Sequence, residues 1–259
     1  MVNDLQDALT GLRRTNPLLD RSGPPPSKRP HRLQKVLVAN RGEIAKRFFF
    51  ALKEEGIPSV AVVTDPERKQ SWYEFADEVV YIGEAGNYTN IPVILAAVLL
   101  SKANAVYPGY GFLSENANFV EALSELFQAE GREIFFLGPP ADVVRKVGDK
   151  LDARALAKRH GVSLLEGTEL IRDLDHAKAE AARIGYPVMV KLKAGGGGKG
   201  MTAVYNTVEL ANAYESAQRI GKANYGDDSL YLEKYIQRPV HMEVQIFNGM
   251  AVGIRKCAV

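Results

Sequence analysis

The stretch KLKAGGGGKGM, residues 191–201, sets four glycines in a row between lysines and decides how the second half of the chain folds. Glycine loses more backbone entropy on folding than other residues, so such a run indicates close approach of a ligand to the backbone. A phosphate-binding P-loop would need a Gly-Lys-Ser/Thr ending. That ending is missing, because Gly200 is followed by Met201. The P-loop interpretation therefore fails.

The same stretch matches the dinucleotide-binding fingerprint as text, at Gly195, Gly197 and Gly200. That fingerprint requires a strand before the glycines and a helix after them. Here YPVMVK (186–191) has the pattern of a strand, and so does MTAVYN (201–206), which contains Thr, Val and Tyr. We therefore predict an antiparallel hairpin whose glycine turn forms a mobile flap with cationic flanks, suited to covering phosphate.

The first half of the chain alternates short apolar strands with helical patterns. Strand patterns are KVLVAN (35–40), IPSVAVVT (57–64), ADEVVYIG (76–83), NAVYPGYG (104–111) and IFFLGP (134–139). The segments between them include RGEIAKRFFFALKEEG (41–56), IPVILAAVLLSKA (91–103) and ENANFVEALSELFQAEG (115–131), which have helical spacing. This alternation predicts a parallel sheet covered on both faces, with ligands beyond the carboxyl ends of its strands.

A different pattern follows residue 138. Helical stretches lie within 139–162 and 173–184, and the hairpin is followed by the helix 207–220 and the strand SLYLEKYI (229–236). Asn206 and Glu209 have the spacing of a capping box. HMEVQIF (241–247), with Asn248-Gly249 and the apolar residues after it, predicts a further hairpin. The second part is therefore predicted to be a smaller α+β unit.

Composition excludes several classes of protein. A net charge of +2 over 259 residues does not indicate a nucleic-acid binder, and the apolar run 91–100 is too short to span a bilayer and contains Pro92. The single cysteine, Cys257, excludes an internal disulfide. Asp4 and Asp7 stand where a signal peptide would be basic and then apolar, so we expect a cytoplasmic protein.

Nine motifs in order resemble biotin carboxylase, a member of the ATP-grasp superfamily. They are KVLVANRGEIAKR, ADEVVYIG, YTNIPVILAA, YPGYGFLSENANF, FLGPP, VGDK, IGYPVMVK, GGGGKGM and YLEKYI. The resemblance covers residue 35 to the end and implies an α/β fold, with a Rossmann-like parallel-sheet domain at 35–138 followed by an ATP-grasp α+β domain. Between them it implies connecting helices at 139–162, and within the ATP-grasp domain it implies a lid subdomain with the glycine-rich flap at 163–235 and the start of a C-terminal subdomain at 236–259. The proline-rich segment within residues 1–34 predicts a flexible tail.

The resemblance also assigns site residues. It implies that Lys150 and Lys191 contact the nucleotide phosphates under the flap. The other nucleotide contacts that it implies are Gly195, Gly196, Gly197, Gly198, Met201, Glu233, Lys234, Ile236 and His241. Tyr110 and Glu115 would face the biotin and bicarbonate. Without the motifs, Lys191 would be a solvated lysine at a strand end, Met201 a core residue and His241 a structural one.

The reaction that the resemblance implies is ATP-dependent activation of bicarbonate as carboxyphosphate, which then carboxylates biotin on a carrier protein. It implies ATP with Mg²⁺ or Mn²⁺, a biotin carboxyl carrier protein or domain, a carboxyltransferase subunit or domain, and a homo-oligomer. The family's catalytic and metal-binding segment would follow Val259, so the catalytic and metal-binding residues are unknown and we expect this chain to be a fragment.

Three alternatives stay open at this point. The chain could be another ATP-grasp ligase, although YPGYGFLSEN belongs to the biotin side of the family's site. It could be a non-catalytic nucleotide-binding or regulatory subunit, because IRKCA (254–258) replaces the family's ERDCS-like run. An NAD-dependent oxidoreductase is the weakest alternative, since the turn NRGEIA after the first strand has one glycine.

Overall fold

The computed structural model describes residues 2–16, 33–193 and 200–240 of the chain. These residues form two compact units, Met1–Asp149 and Lys150–Val259. A parallel sheet lies in the first unit and an antiparallel sheet in the second. The predicted architecture, an α/β parallel-sheet domain followed by a smaller α+β unit with antiparallel strands, is confirmed.

The sheet of the first unit has five strands in the order β3-β2-β1-β4-β5, and every neighbouring pair is parallel. The strands are β1 Val36–Val38, β2 Ser59–Thr64, β3 Glu78–Gly83, β4 Ala105–Tyr107 and β5 Phe135–Phe136. The central strand β1 pairs with β2 on one side and with β4 on the other. From β1 the chain adds β2 and β3 on one side of the sheet and then crosses to add β4 and β5 on the other. Open α/β sheets bind ligands at such a point of reversal, which here lies between β1 and β4.

Helices cover this sheet on both faces. They are α1 Val2–Thr15, α2 Gly42–Glu55, α3 Ile91–Ser101, α4 Ala117–Ala129 and α5 Ala141–Gly148. Leu37 and Val60 contribute to one hydrophobic core and Val36 and Ala61 to the other, as the alternation of side chains along a strand requires. The predicted end of α2 is confirmed, since Gly56 closes it in the left-handed conformation with φ of +69°.

The predicted flexible tail at 1–34 is wrong for residues 2–16. Residues 2–15 are helix α1, and Leu5, Leu9 and Leu12 pack against the core that contains α3. These leucines have the three- and four-residue spacing of an amphipathic helix, a pattern that the proline-rich residues after them obscured. Residues 17–32 lie outside the described residues.

Asn16, directly after α1, completes the edge of the parallel sheet. Its side-chain nitrogen donates to the carbonyl of Tyr81 at 3.0 Å, and its side-chain oxygen accepts from the Tyr81 amide at 3.0 Å. Tyr81 belongs to β3, which is an edge strand, and Asn16 is buried. The carboxamide of Asn16 thus takes the place of a neighbouring peptide group and satisfies polar groups that an edge strand leaves unpaired.

The second unit contains α6 Lys150–Arg159, α7 Leu174–Ile184 and α8 Thr207–Tyr225, with strands β6 Val188–Leu192, β7 Met201–Val204 and β8 Leu230–Lys234. The sheet order is β7-β6-β8, and both pairs are antiparallel. The predicted strands on either side of the glycine run therefore form a hairpin. The connecting helices predicted at 139–162 divide between the units, because α5 belongs to the first and α6 to the second. The predicted hairpin from residue 241 onward lies outside the described residues.

The N-cap predicted at the start of α8 is present, but the returning hydrogen bond to Glu209 comes from the residue before the cap rather than from the cap as in a capping box. Asn206 accepts at its side-chain oxygen from the amide of Glu209 at 2.9 Å, and Glu209 accepts from the amide of Tyr205 at 2.9 Å. One face of the sheet packs with α7 and α8 in a hydrophobic core. Within the described part of the chain, no helix is long and apolar enough to cross a membrane.

We predict that Asn16→Ala destabilises the first unit by about 1–3 kcal/mol, because both backbone groups of Tyr81 would lose a buried partner. Urea unfolding followed by circular dichroism measures the change. Asn118→Ala, at an exposed position of α4, is the control and should unfold with the parent protein. Equal stability of the Asn16 variant and the parent would contradict a role for Asn16 in closing the sheet edge.

Candidate functional site

Strand pairing decides which side chains of the second unit share a face. Lys191 of β6 stands opposite Met201 of β7 and Tyr231 of β8, and Met189 stands opposite Glu233. Directly opposed residues of antiparallel strands project to the same side of the sheet. The residues between them, such as Val190, are buried in the core. Lys191, Met201 and Glu233 therefore lie together on the face opposite to that core.

Glu233 is the centre of a charged cluster on this face, and only 10% of its side chain is exposed. The Nζ of Lys191 donates to one carboxylate oxygen, and Nη1 of Arg154 donates to the other at 2.6 Å. Arg154 also donates to the carbonyl of Leu165 at 2.8 Å. Burying a carboxylate requires such pairing, since an unmatched charge in this position would be strongly destabilising.

Lys150 adds a further ammonium group to the cluster, and its Nζ lies 3.5 Å from the carbonyl oxygen of Leu192. Burial lowers the pKa of Lys150 and the charge of Lys191 lowers it further, while Glu233 acts in the opposite direction. Burial likewise raises the pKa of Tyr231 to about 12, with Glu233 contributing. Lys150 and Lys191 thus repel each other, and an anion placed near both would relieve that repulsion.

The structure brings only some of the predicted nucleotide residues to this face. Lys150, Lys191, Met201 and Glu233 are there, and Met201 is 43% exposed. The side chain of Lys234 is not, because its Nζ donates to the carbonyls of Gly185 and Tyr186 beyond the end of α7. Ile236 follows the end of β8 and is also exposed. Residues 195–198 and His241 lie outside the described residues, so their roles stay predictions.

Arg154 is the member of the cluster that the sequence analysis missed. It lies on α6 four residues after Lys150, so the two side chains project from the same side of the helix. That spacing, Lys-x-x-x-Arg, was a usable signal. Its significance could not be recognised without knowing that α6 brings Arg154 to Glu233 of β8.

The second group of predicted site residues lies in the first unit, where β1 and β4 end. Asn40 follows β1, is buried, and donates from its side chain to the carbonyls of Pro108 at 2.7 Å and Tyr110 at 2.8 Å. A side chain at Gly109 would meet Asn40 at 2.8 Å and Ile44 at 2.7 Å, so this loop approaches α2 as closely as only glycine allows. Asn40 therefore ties the loop after β4 to the end of β1.

Tyr110 and Glu115 are both exposed at this edge, with 66% of Tyr110 accessible. The hydroxyl of Tyr110 donates to Oε1 of Glu43 at 2.7 Å. This hydrogen bond raises the pKa of Tyr110, with smaller contributions from burial and from the charge of Glu43. The predicted substrate-side residues thus lie on a loop at the topological switch point, as the parallel-sheet rule anticipates.

A buried carboxylate, Glu67, lies close to this loop. Its Oε2 accepts from Tyr88 at 2.6 Å and from Thr64 at 2.7 Å, and its Oε1 accepts from Nη1 of Arg41 at 3.1 Å. Burial by itself would raise the pKa of Glu67, but the hydrogen bonds from Tyr88, Thr64 and Arg41 outweigh it and lower the pKa. Burial and the bond to Glu67 raise the pKa of Tyr88 in turn.

The described residues contain no group of three or more His, Cys, Asp and Glu side chains that could hold a metal ion. Glu233 is the buried carboxylate nearest to the two lysines, and its oxygens are both occupied by cationic donors. This set of residues does not fit a magnesium site.

Two family models match the chain. The biotin carboxylase N-terminal domain matches residues 32–144, and the carbamoyl-phosphate synthase L chain ATP binding domain matches residues 149–252. The boundary between the matches falls within five residues of the boundary between the two units of the structure, at Asp149 and Lys150.

Curated relatives are similar over most of the chain. Biotin carboxylase of Pseudomonas aeruginosa is 42% identical over 236 residues, which is 87% of this chain and 51% of the relative. The propionyl-CoA carboxylase alpha chain of Ruegeria pomeroyi is 39% identical over 87% of this chain and 34% of the relative. This chain thus spans about half the length, or less, of these relatives.

Solved structures of similar proteins share the fold. Campylobacter jejuni biotin carboxylase, in a βγ-ATP complex, superposes with a TM-score of 0.74 at 39% identity, over 80% of this chain and 46% of the other. The biotin carboxylase domain of Hydrogenobacter thermophilus 2-oxoglutarate carboxylase, solved with MgADP and bicarbonate, has a TM-score of 0.71 at 39% identity, over 79% of this chain and 45% of the other.

We predict that Glu233→Gln lowers the free energy of unfolding by about 1–3 kcal/mol, because Lys150, Lys191 and Arg154 would be left without their shared counter-charge. The cost falls below that of a fully buried pair because the Lys191 and Arg154 side chains are 23% and 21% exposed. Urea unfolding provides the measurement, with the exposed Glu215→Gln as the matched control. A Glu233 variant as stable as that control would show that the cluster is not held by its charge.

Glu67 should make stability depend on pH in acid. Because its pKa is lower in the folded state, its contribution is fully present above its ordinary value of 4.5 and is lost as the pH falls through the folded value. The stability difference between the parent and Glu67→Gln should therefore be largest near neutral pH and shrink below pH 4.5. Tyr88→Phe removes only one of the three donors to Glu67, so the stability difference between the parent and this variant should change less with pH than the difference for Glu67→Gln does. A difference between parent and Glu67→Gln that stays constant from neutral to acid would contradict the role of these hydrogen bonds.

Proposed function

The chain belongs to the biotin carboxylase family, and from that premise we propose that it takes part in ATP-dependent carboxylation of carrier-bound biotin by bicarbonate. Its two units would supply the surface that binds the nucleotide and the loop that faces the second substrate. Since the chain spans half or less of its curated relatives, the activity proposed is that of the complete protein.

The observation that carries this proposal is the pair of ammonium groups, Lys150 and Lys191, on one face of the antiparallel sheet. Lys191 is the residue of β6 that pairs with the first residue of β7, close to the turn between them, so a triphosphate lying over this face would meet a fixed positive charge. The lowered pKa of Lys150 supports the same conclusion, since it reflects burial and crowding of like charges that an anion would relieve. Clustered cations that stabilise charge on a transferring phosphoryl group are a recurrent catalytic device.

The remainder of the nucleotide would lie against the same face. Met201, on β7 opposite Lys191, and Ile236, just beyond β8, have exposed apolar side chains on which an adenine ring could pack. The backbone beyond β8 would supply hydrogen bonds to the base. The glycine run 195–198 would cover the phosphates with backbone amides, and His241 would lie near the ribose, as the family pattern implies.

Bicarbonate and biotin would meet the loop that carries Tyr110 and Glu115. Both residues lie at the carboxyl edge of the parallel sheet, the usual ligand edge of this architecture. The Campylobacter and Hydrogenobacter relatives were solved with a nucleotide, and the latter also with bicarbonate, which supports the same ligands for this chain. Magnesium would accompany the ATP, but its ligands are not grouped among the described residues, and no step is assigned to it.

The partners that fit this function are a biotin carboxyl carrier protein or domain, which brings biotin, and a carboxyltransferase, which consumes carboxybiotin. Relatives named as the alpha chain of propionyl-CoA carboxylase and as one of the subunits of pyruvate carboxylase support such an assembly. Self-association of the chain is part of the same proposal, since the Hydrogenobacter domain was solved as a dimer.

Phosphate release from ATP by the full-length protein tests this function. We expect release to require both bicarbonate and biotin, and Lys191→Met to reduce it by about 10²–10³-fold through loss of one charge at the phosphates. Lys158→Met, which removes an exposed lysine of α6, is the matched control and should keep the parent rate.

Two other outcomes would contradict the proposal and identify its alternatives. Phosphate release that requires bicarbonate but does not change when biotin is added would indicate another ATP-grasp ligase, with a carboxyl or phosphoryl acceptor other than biotin. Nucleotide binding by calorimetry without any turnover would indicate a non-catalytic nucleotide-binding subunit.

A further inference from the structure

Arg41 lies at the carboxyl end of β1, directly before α2, and is not among the predicted site residues. About half of its side chain is exposed, yet its guanidinium group contacts three other side chains. Its Nη1 donates to Glu67 at 3.1 Å, and its guanidinium carbon lies 5.7 Å from the ring centre of Tyr88 and 5.6 Å from that of Phe112. Both ring distances are within the range of a cation–π contact.

Phe112 is a residue in an unfavourable backbone conformation. Its φ is +45°, in the left-handed region that bulky side chains rarely adopt. Such a conformation costs about 1–3 kcal/mol and persists only where the surroundings impose it. Gly109 and Gly111 before it also have positive φ, at no comparable cost. The strain of this loop is therefore concentrated at Phe112.

The surroundings that impose this conformation form one connected cluster. The ring of Phe112 stacks on that of Tyr88, with centres 4.7 Å apart and planes at 19°. Tyr88 donates to Glu67, which also accepts from Arg41, and the Arg41 guanidinium returns to the Phe112 ring. The four side chains come from the segments after β1, β2, β3 and β4, so the cluster joins these loops to one another.

We propose that Arg41 is a positioning residue that, with Glu67 behind it, holds Phe112 in its left-handed conformation and thereby fixes the segment 109–115. Tyr110 and Glu115 lie on either side of Phe112 in this segment. Holding Phe112 would set where these two side chains stand relative to the sheet edge. We call these contacts of Arg41, Glu67, Tyr88 and Phe112 the clamp. The identity of the substrate that Tyr110 and Glu115 meet rests on the proposed function, but the clamp rests on the contacts of this unit alone.

Removing the Arg41 side chain should release the loop and leave the unit folded. Glu67 would keep its bonds from Tyr88 and Thr64, and the half-exposed position of Arg41 leaves no buried cavity behind. A merely structural ion pair would instead lower global stability with no particular effect on residues 109–115. These two expectations can be told apart by local measurements.

The direct test is amide hydrogen exchange in the parent, Arg41→Met and Arg132→Met. The amides of Ser114 and Asn116, which donate to Gly111 and Leu113 at 2.9 and 3.1 Å, report on the loop. Arg132 is a matched control, because it also pairs with a carboxylate, Glu130, and packs on an aromatic ring, Phe127, but lies before β5 at the opposite edge of the sheet. Arg41→Met should exchange these two amides about tenfold faster, and Arg132→Met should not.

Arg41→Lys keeps the charge but loses the planar group that both bonds Glu67 and faces the rings, so it should restore protection only in part. Unchanged exchange at Ser114 and Asn116 in both Arg41 variants would overturn the proposal. If Arg41→Met fails to fold, as judged by circular dichroism, the exchange rates of the Ser114 and Asn116 amides in Arg41→Lys alone test the proposal.

Kinetics of the full-length protein separate this inference from the proposed function. In Arg41→Met we expect KM for biotin to rise several-fold while KM for ATP stays at the parent value, because the clamp lies in the unit that carries Tyr110 and Glu115. Faster loop exchange in a protein that never carboxylates biotin would support the clamp and refute the proposed function. Parent-like exchange and parent-like KM in an active enzyme would refute the clamp alone.

Discussion

A carboxylate removed from water must be surrounded by donors, and each unit of this chain is arranged around one such group. In the second unit Glu233 receives hydrogen bonds from Lys191 and Arg154, and in the first Glu67 receives them from Tyr88, Thr64 and Arg41. In both cases an arginine near the start of a helix reaches the carboxylate. Arg154 lies in the second turn of α6, and Arg41 is the N-cap residue of α2. These hydrogen bonds connect α6 to β8 in the second unit and the start of α2 to the segment after β2 in the first.

The placement of the site residues follows from how the two sheets are buried. The parallel sheet is covered by apolar cores on both faces, so its polar and exposed groups can gather only where the strands end. Tyr110 and Glu115 are found there. The antiparallel sheet has one apolar core, against α7 and α8, and its other face carries the charged cluster. The chemistry proposed for the chain therefore divides between a sheet edge in one unit and a sheet face in the other.

Much of the fold could be predicted from the sequence because it depends on local periodicity. The strands on either side of the glycine run, the alternation of strands and helices before it, the glycine at the end of α2 and the cap of α8 all require only neighbours in sequence. The prediction for residues 1–34 was wrong in its first part, because the leucines of α1 form a helix whose partner, α3, lies about eighty residues further along the chain. The closure of the sheet edge by Asn16 is a contact across 65 residues, and no local pattern indicates it.

The sequence by itself determined the family resemblance, the order of the strands and longer helices from β1 onward, and the candidate residues Lys150, Lys191, Met201 and Glu233, because these are carried by motifs and by the alternation of strands and helices. Only the tertiary structure decided which of them meet. The side chain of Lys234, the neighbour of Glu233, turns to the carbonyls at the end of α7, since adjacent strand residues project to opposite faces. Arg154 and Arg41 become significant only when the fold brings them to carboxylates 79 and 26 residues away, because the local sequence does not specify which residues meet across such separations.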